Sequence, residues 1–155
     1  DRDIFWAGSD DGLVHISQDG AKTWNDVTPE TLPEWATVST IELSPHHPGT
    51  AYLAAHRYRL DDFRPMLFRT TDFGKSWTEI CSGVRGDDVT RVIREDPVRA
   101  GLLYLGTETG LYISFDHGET WQTFQANLPV VPVYDLVIKD DDLLARNAWE
   151  IILDS

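Results

Sequence analysis

Apolar and polar residues alternate along this chain in short runs separated by clusters of Gly, Pro, Asn and Asp. A period of two places successive side chains on opposite faces of a pleated strand, so the runs predict β-strands. Ile4 to Ser9, Leu13 to Ser17 and Thr23 to Thr28 form a first group. A second comprises Val38 to Leu43, Thr50 to His56, Met66 to Thr70 and Ser76 to Ile80. A third comprises Val89 to Arg94, Leu102 to Thr107, Gly110 to Ser114 and Thr120 to Phe124. Val133 to Lys139, Asp142 to Arg146 and Glu150 to Asp154 form the last. Turn signals lie between them at Asp10-Asp11-Gly12, Pro45 to Gly49, Asp96 to Gly101 and Asp140 to Asp142. No apolar periodicity of helical type persists beyond a turn, and Thr28 to Trp35, with two prolines, reads as a loop.

One motif recurs without gaps. Ser17-Gln18-Asp19-Gly20-Ala21-Lys22-Thr23-Trp24, Thr70-Thr71-Asp72-Phe73-Gly74-Lys75-Ser76-Trp77 and Ser114-Phe115-Asp116-His117-Gly118-Glu119-Thr120-Trp121 share hydroxyl, any, Asp, any, Gly, any, hydroxyl, Trp. Only the first copy departs, with Ala21 at the glycine position; Gly20 is expected to take over its positive-φ role. Copies spaced about 40 to 55 residues apart, with strands between, are the signature of propeller blades. The Asp carboxylate is expected to accept hydrogen bonds from its own turn. Gly74 and Gly118 supply the hairpin backbone, Ser17, Thr70 and Ser114 a second local bond, and Trp24, Trp77 and Trp121 packing between neighbouring sheets. Each motif then closes the hairpin between the third and fourth strands of a blade. The expected fold is all-β: one partial propeller over 1–155, with a blade remnant at 1–30, full blades at 36–81 and 87–126, and a partial blade at 131–155. Propellers close with four or more blades, so this chain implies an incomplete ring, cut from a larger protein or paired with a second copy through open edges.

The motif resembles the Asp-box of BNR-repeat propellers, found in sialidases, sortilin-type receptors, xyloglucan-active glycosidases and photosystem-assembly factors. Tyr58-Arg59-Leu60-Asp61-Asp62-Phe63-Arg64-Pro65 is similar to a segment of sortilin-like and xyloglucanase-like bacterial BNR proteins, as is Gly110 to Ile138 through Asn127-Leu128-Pro129. Proteins of that group continue into a strand carrying a His-Gly pair. Here Leu144 to Asp154 lacks the pair and keeps only the trailing Ile152-Leu153-Asp154. The resemblance implies the fold along the whole chain. It leaves two functions open: a non-catalytic scaffold or binding module for protein or glycan within a larger protein, or part of a glycoside hydrolase whose cleft needs further blades.

Composition narrows the partners. With 13 basic and 26 acidic residues the net charge is −13, which repels phosphate backbones and anionic membranes, so neither nucleic acid nor membrane is expected. No apolar run approaches the ~20 residues of a membrane span. The opening Asp1-Arg2-Asp3 carries no signal-like segment, so localisation is not legible. Lone Cys81 has no disulfide partner in the chain and reads as a half-buried strand-end residue.

Catalytic and metal chemistry find little support. Asp61, Asp62, Glu95 and Glu108 are candidate acids, but nothing in the sequence pairs them as glycoside hydrolysis requires. Phe63-Arg64-Pro65 lacks the apolar residue between Arg and Pro of the sialidase motif. His46-His47 and the aspartate runs lack ligand spacing, so no metal or cofactor is expected. The segment from His56 to Arg64 reads as a loop longer than a hairpin needs. It brings together Arg57, Tyr58, Arg59, Asp61, Asp62 and Arg64, a mixture suited to a protein or sugar contact, or to an inert salt-bridged cover. Trp6, Trp35 and Trp149 would stack on sugar rings if exposed.

Overall fold

The structure is a computed structural model that describes residues 3–124, 132–139, 142–146 and 150–154. Its strands fall into four antiparallel sheets in chain order. The first holds β1 (Phe5–Gly8), β2 (Val14–Ser17) and β3 (Asn25–Asp26). The second holds β4 (Thr37–Leu43), β5 (Ala51–Arg57), β6 (Asp62–Thr70) and β7 (Thr78–Glu79). The third holds β8 (Thr90–Glu95), β9 (Leu103–Thr107), β10 (Leu111–Ser114) and β11 (Gln122–Thr123). The fourth holds β12 (Asp135–Lys139), β13 (Asp142–Arg146) and β14 (Glu150–Asp154). Strand β4 packs against β8, and β8 against β12, which makes the first strands of successive sheets the hub of an arc. The chain is an all-β assembly of propeller blades with the ring incomplete.

Alternation along a strand decides which interface each side chain enters. Leu53, Ala55, Met66 and Phe68 face the first sheet and bury with Val14, Leu32 and Ala36. Their neighbours Tyr52, Ala54 and Leu67 point the other way and pack with Ile93, Leu103, Leu105, Tyr112 and Trp121 of the third. Val92, Tyr104 and Leu111 meet Val133, Leu136 and Leu143 of the fourth. A blade inside the arc is therefore buried on both faces, which is why β5 is apolar at nearly every position.

The three repeated turns share one geometry. Asp72 accepts from the Thr70 hydroxyl at 2.8 Å, the Ser76 amide at 2.9 Å and the Ser76 hydroxyl at 2.6 Å. Asp19 is held the same way by Ser17 and Thr23, and Asp116 by Ser114 and Thr120. The Thr23, Ser76 and Thr120 hydroxyls, more than any other group, hold these carboxyls below the usual range. The Trp77 indole N–H donates to the Val27 carbonyl of the first sheet at 2.6 Å, and Trp121 to that of Ile80 at 2.7 Å. Trp24 lies on the outer face of the first sheet and is 43% exposed.

Three expectations change in the structure. Gly20 does not take over from Ala21: both have positive φ, 73° and 71°, just as Phe73 and Gly74 do at 61° and 84°. Two consecutive left-handed residues make a type I′ turn, which fits the twist of the paired strands. A side chain is tolerated at Ala21 because the position is exposed. At Gly74 a Cβ would meet the Val27 Cβ at 2.8 Å. Second, the last strands of the first three sheets are only two residues long, shorter than the runs Thr23 to Thr28, Ser76 to Ile80 and Thr120 to Phe124 predict. Third, residues 56–64 are not a long loop. Strands β5 and β6 run into it, Arg57 pairs with Asp62 across a register shift after Ala55, and only a 3-10 turn at Tyr58–Leu60 joins them.

Candidate functional site

The repeated turns occupy one end of the sheets. The opposite end gathers the extended tips of β5 and β6, the turn after β1, the 29–36 loop and the start of β12. Asp62 is the anchor there. It accepts from the Arg64 Nε at 2.9 Å and Nη2 at 2.7 Å, and the Arg57 guanidinium lies 3.6 Å away. The bonds from Arg64 come first in holding its carboxyl below the usual range. Asp61 closes the 3-10 turn in a left-handed conformation, φ 58°, its amide donating to the Tyr58 carbonyl. Tyr58 and Arg59 are hydrogen-bonded to each other, and that bond lowers the Tyr58 phenol from its ordinary value. All six residues from Arg57 to Arg64 expected to form a contact surface thus lie together, with Arg64 turned into an ion pair and Arg59 exposed.

The third sheet completes the cluster with Arg91, which the sequence did not point to. Arg91 of β8 reaches up between two aromatic rings, 4.7 Å from the Tyr58 centroid and 5.3 Å from that of Tyr134. Its Nη2 donates to Glu108, and its Nη1 lies 3.4 Å from the His56 Nε2. His56 is only 5% exposed. Burial, then the positive charges of Arg91 and Arg59, pushes its pKa down to about 4, so the ring is neutral at pH 7. Since a guanidinium only donates, Nε2 is the accepting nitrogen and the ring proton sits on Nδ1, which has no hydrogen-bond partner among the described residues. Nothing in the sequence joins position 91 to position 56 or 58; the hub packing of β4 and β8 does.

Trp35 forms the rim. It is 64% exposed at φ 65°, its amide held by the Asp11 carbonyl at 3.1 Å. Beside it lies a pocket of about 350 Å³ lined by Asp10, Trp35, Thr37, His56, Arg57, Arg59 and Leu60. A bulky residue in the left-handed region costs roughly 1–2 kcal/mol, so the loop presents this indole to solvent against its own preference.

The remaining candidates are placed elsewhere. Glu108 is tied to Arg91 and Asp62 to Arg57 and Arg64, while Asp61 is exposed. Glu95 is buried at the end that carries the repeated turns, accepting from the Gly101 amide. Next to it, burial pushes the Glu42 carboxyl up. His46 sits 2.7 Å from the Asp96 carbonyl, and Cys81 is half-buried beneath the Pro65 carbonyl with its thiol pushed up by burial. Trp6 packs edge-on against Trp77 at 5.9 Å between the first two sheets. Among the described residues no cluster of three His, Cys, Asp or Glu is placed to hold a metal, and no helix is long and apolar enough to cross a membrane. Asn127-Leu128-Pro129, Asp140-Asp141 and Trp149 lie outside the described residues.

No protein-family signature matches the chain. It is 27% identical over 139 residues to the xyloglucanase Xgh74A of Acetivibrio thermocellus, a match covering 81% of this chain and 16% of that enzyme. Among solved structures it is similar to an ancestral GH74 enzyme, with TM-score 0.72 and 21% identity over 93% of this chain and 20% of the other. It is also similar to YCF48 bound to D1 peptide, with TM-score 0.70 and 20% identity over 94% of this chain and 45% of the other. The structural likenesses concern the fold. The chain spans about a sixth of the length of the curated xyloglucanase it matches.

Proposed function

We propose that this chain is a segment of an Asp-box β-propeller and works as a non-catalytic glycan-binding module of a larger BNR-repeat protein. The observation that carries the reading is Trp35: an exposed indole, held in an unfavourable backbone conformation, forms one wall of a pocket edged by Arg57, Arg59 and His56. Sugar sites pair such a flat apolar face with a few fixed polar groups. The repeated turns belong to the scaffold in this reading, since their carboxylates are occupied by hydrogen bonds within the turn. A scan of immobilised plant and bacterial glycans with the chain and with Trp35→Gly tests it. Binding that disappears in the variant is expected; absence of binding to every glycan would remove the reading.

The second reading is that the chain contributes to a glycoside hydrolase, favoured by its sequence similarity to a protein named as a xyloglucanase. The tied state of Asp62 and Glu108 weighs against a free carboxylate pair built from them. Release of new reducing ends from xyloglucan, unchanged by Trp35→Gly but lost on Glu108→Gln, would favour the hydrolase over the binding module.

A further inference from the structure

The tip of the β5–β6 hairpin carries much of the Trp35 pocket, yet it stands clear of its own sheet. Strand β4 pairs with β5 no further than Thr37 opposite His56, and β7 pairs only with Phe68 and Arg69 of β6. Residues 57–62 therefore have no neighbouring strand among the described residues, and what steadies them comes from the third sheet. Arg91 of β8 is rooted there: its backbone carbonyl accepts from the Ser39 and Thr40 hydroxyls of β4 at 2.6 and 2.9 Å. From that root its guanidinium reaches the tip by two routes. Nη1 faces the Nε2 of His56 at 3.4 Å. The same group lies over the Tyr58 ring, and Tyr58 is hydrogen-bonded to Arg59, whose guanidinium lies 5.9 Å from that ring. His56 and Arg59 line the pocket, whereas Arg91 and Tyr58 are not among its lining residues. Glu108 and the ring of Tyr134 hold the guanidinium from its other sides, so little side-chain freedom is left to it.

We infer that Arg91 is a positioning residue of the Trp35 pocket: from the third sheet it clamps the β5–β6 tip through His56 and Tyr58, and so sets ligand affinity without touching the ligand. The ligand rests on the glycan-binding reading above; the clamp stands on the contacts of Arg91 alone. Its removal has a consequence beyond lost packing, because the groups facing His56 come from four elements. Arg91 of β8 and Arg59 of the tip oppose a positive ring, while Glu108 after β9 and Asp10 after β1 favour one, and burial outweighs them all in keeping it neutral. Without Arg91 one positive charge goes and Glu108 loses its partner, and both changes favour the imidazolium. The pocket wall then becomes sensitive to acid.

Titration of the His56 ring by NMR in the full, ligand-free chain reads the clamp directly. The midpoint near 4 should move toward the ordinary histidine value of about 6.5 in Arg91→Met, which keeps the reach of the stem and loses its charge and donors. Arg91→Lys should stay closer to the unaltered chain. Isothermal titration with a xyloglucan heptasaccharide should show Arg91→Met weakened about fivefold or more at pH about 5 and less at pH about 8. Arg91→Lys should restore most of that loss, and Tyr134→Ala, at a half-exposed position, should give a smaller effect of the same sign. An unmoved His56 midpoint in Arg91→Met would overturn the inference, as would an equal loss of affinity at both pH values that Arg91→Lys does not restore. Should Arg91→Met lose cooperative unfolding, Arg91→Lys and Tyr134→Ala decide: a midpoint and affinity unchanged in both would overturn it. Failure of the unaltered chain to bind any glycan would remove the glycan-binding reading instead, and the His56 titration would then decide the clamp by itself.

Discussion

Backbone sign separates residues placed for folding from those placed for contact. Ala21 and Trp35 both occupy the left-handed region, at 71° and 65°, where glycine costs nothing and other residues roughly 1–2 kcal/mol. Ala21→Gly should therefore stabilise the chain by about 1 kcal/mol, read from the urea midpoint. Trp35→Gly should be neutral or stabilising by a similar amount while removing ligand binding; an unfolded Trp35→Gly protein would instead make the indole a packing residue. His56 carries a second expectation. Its folded pKa lies near 4 against about 6.5 in the unfolded chain, so the unfolded state binds the extra proton between those values. The stabilisation is complete above pH 6.5 and lost as pH falls toward 4, by up to about 3 kcal/mol. Urea midpoints across that range should fall steeply, and His56→Gln should flatten this part of the profile. None of these three residues announced its conformation in sequence: positive φ at Ala and Trp runs against propensity, and the shift at His56 comes first from burial and then from an arginine on another sheet.

At the level of elements, the repeated turn was the most legible feature, because everything that makes it work is local. Hydroxyl, carboxylate and second hydroxyl lie within seven residues of each other, so side-chain types at fixed spacing define the hydrogen bonds. The strands preceding each turn were legible for the same reason. The fourth strands were not, since the apolar-polar pattern runs on past the two residues that actually pair. Nor was the extension of β5 and β6, because Pro65 and the Arg-Asp content at 57–64 read as loop until Asp62 is seen holding Arg57 across the pair and Arg64 along its own strand. Asp72→Ala removes an acceptor of three short bonds and leaves the Ser76 donors to water, for an expected loss of about 2 kcal/mol. Gly74→Ala should cost more than the ~1 kcal/mol of its left-handed conformation, since its Cβ would press on Val27. Equal and small effects in thermal unfolding would mean that the second turn is not coupled to the first sheet.

Across the whole molecule the interfaces between sheets repeat, and the repeat exposes where one is unfilled. Trp77 and Trp121 each reach a backbone carbonyl of the preceding sheet; their counterpart Trp24 has no such acceptor among the described residues and is exposed, as are Phe5 and Leu13 of the same sheet region, at 45% and 40%. On the fourth sheet Val137, Leu144 and Ile152 are register partners in one row, next to the row of Leu136, which is buried against the third sheet. The first sheet thus exposes apolar residues where an interior blade would meet its neighbour, and the end row of the fourth sheet is apolar in sequence. A second copy, its fourth sheet against this first sheet and the reverse, would fill both faces by the same interface that the chain already uses internally, a closed twofold arrangement. Light scattering over a concentration series is expected to show a reversible dimer that Trp24→Glu returns to monomer with its unfolding still cooperative. Monomer at every concentration would leave these faces to other blades of the same polypeptide. In either case the pocket at Trp35, lined by residues of the first two sheets and the loop between them, should retain its ligand binding in Trp24→Glu.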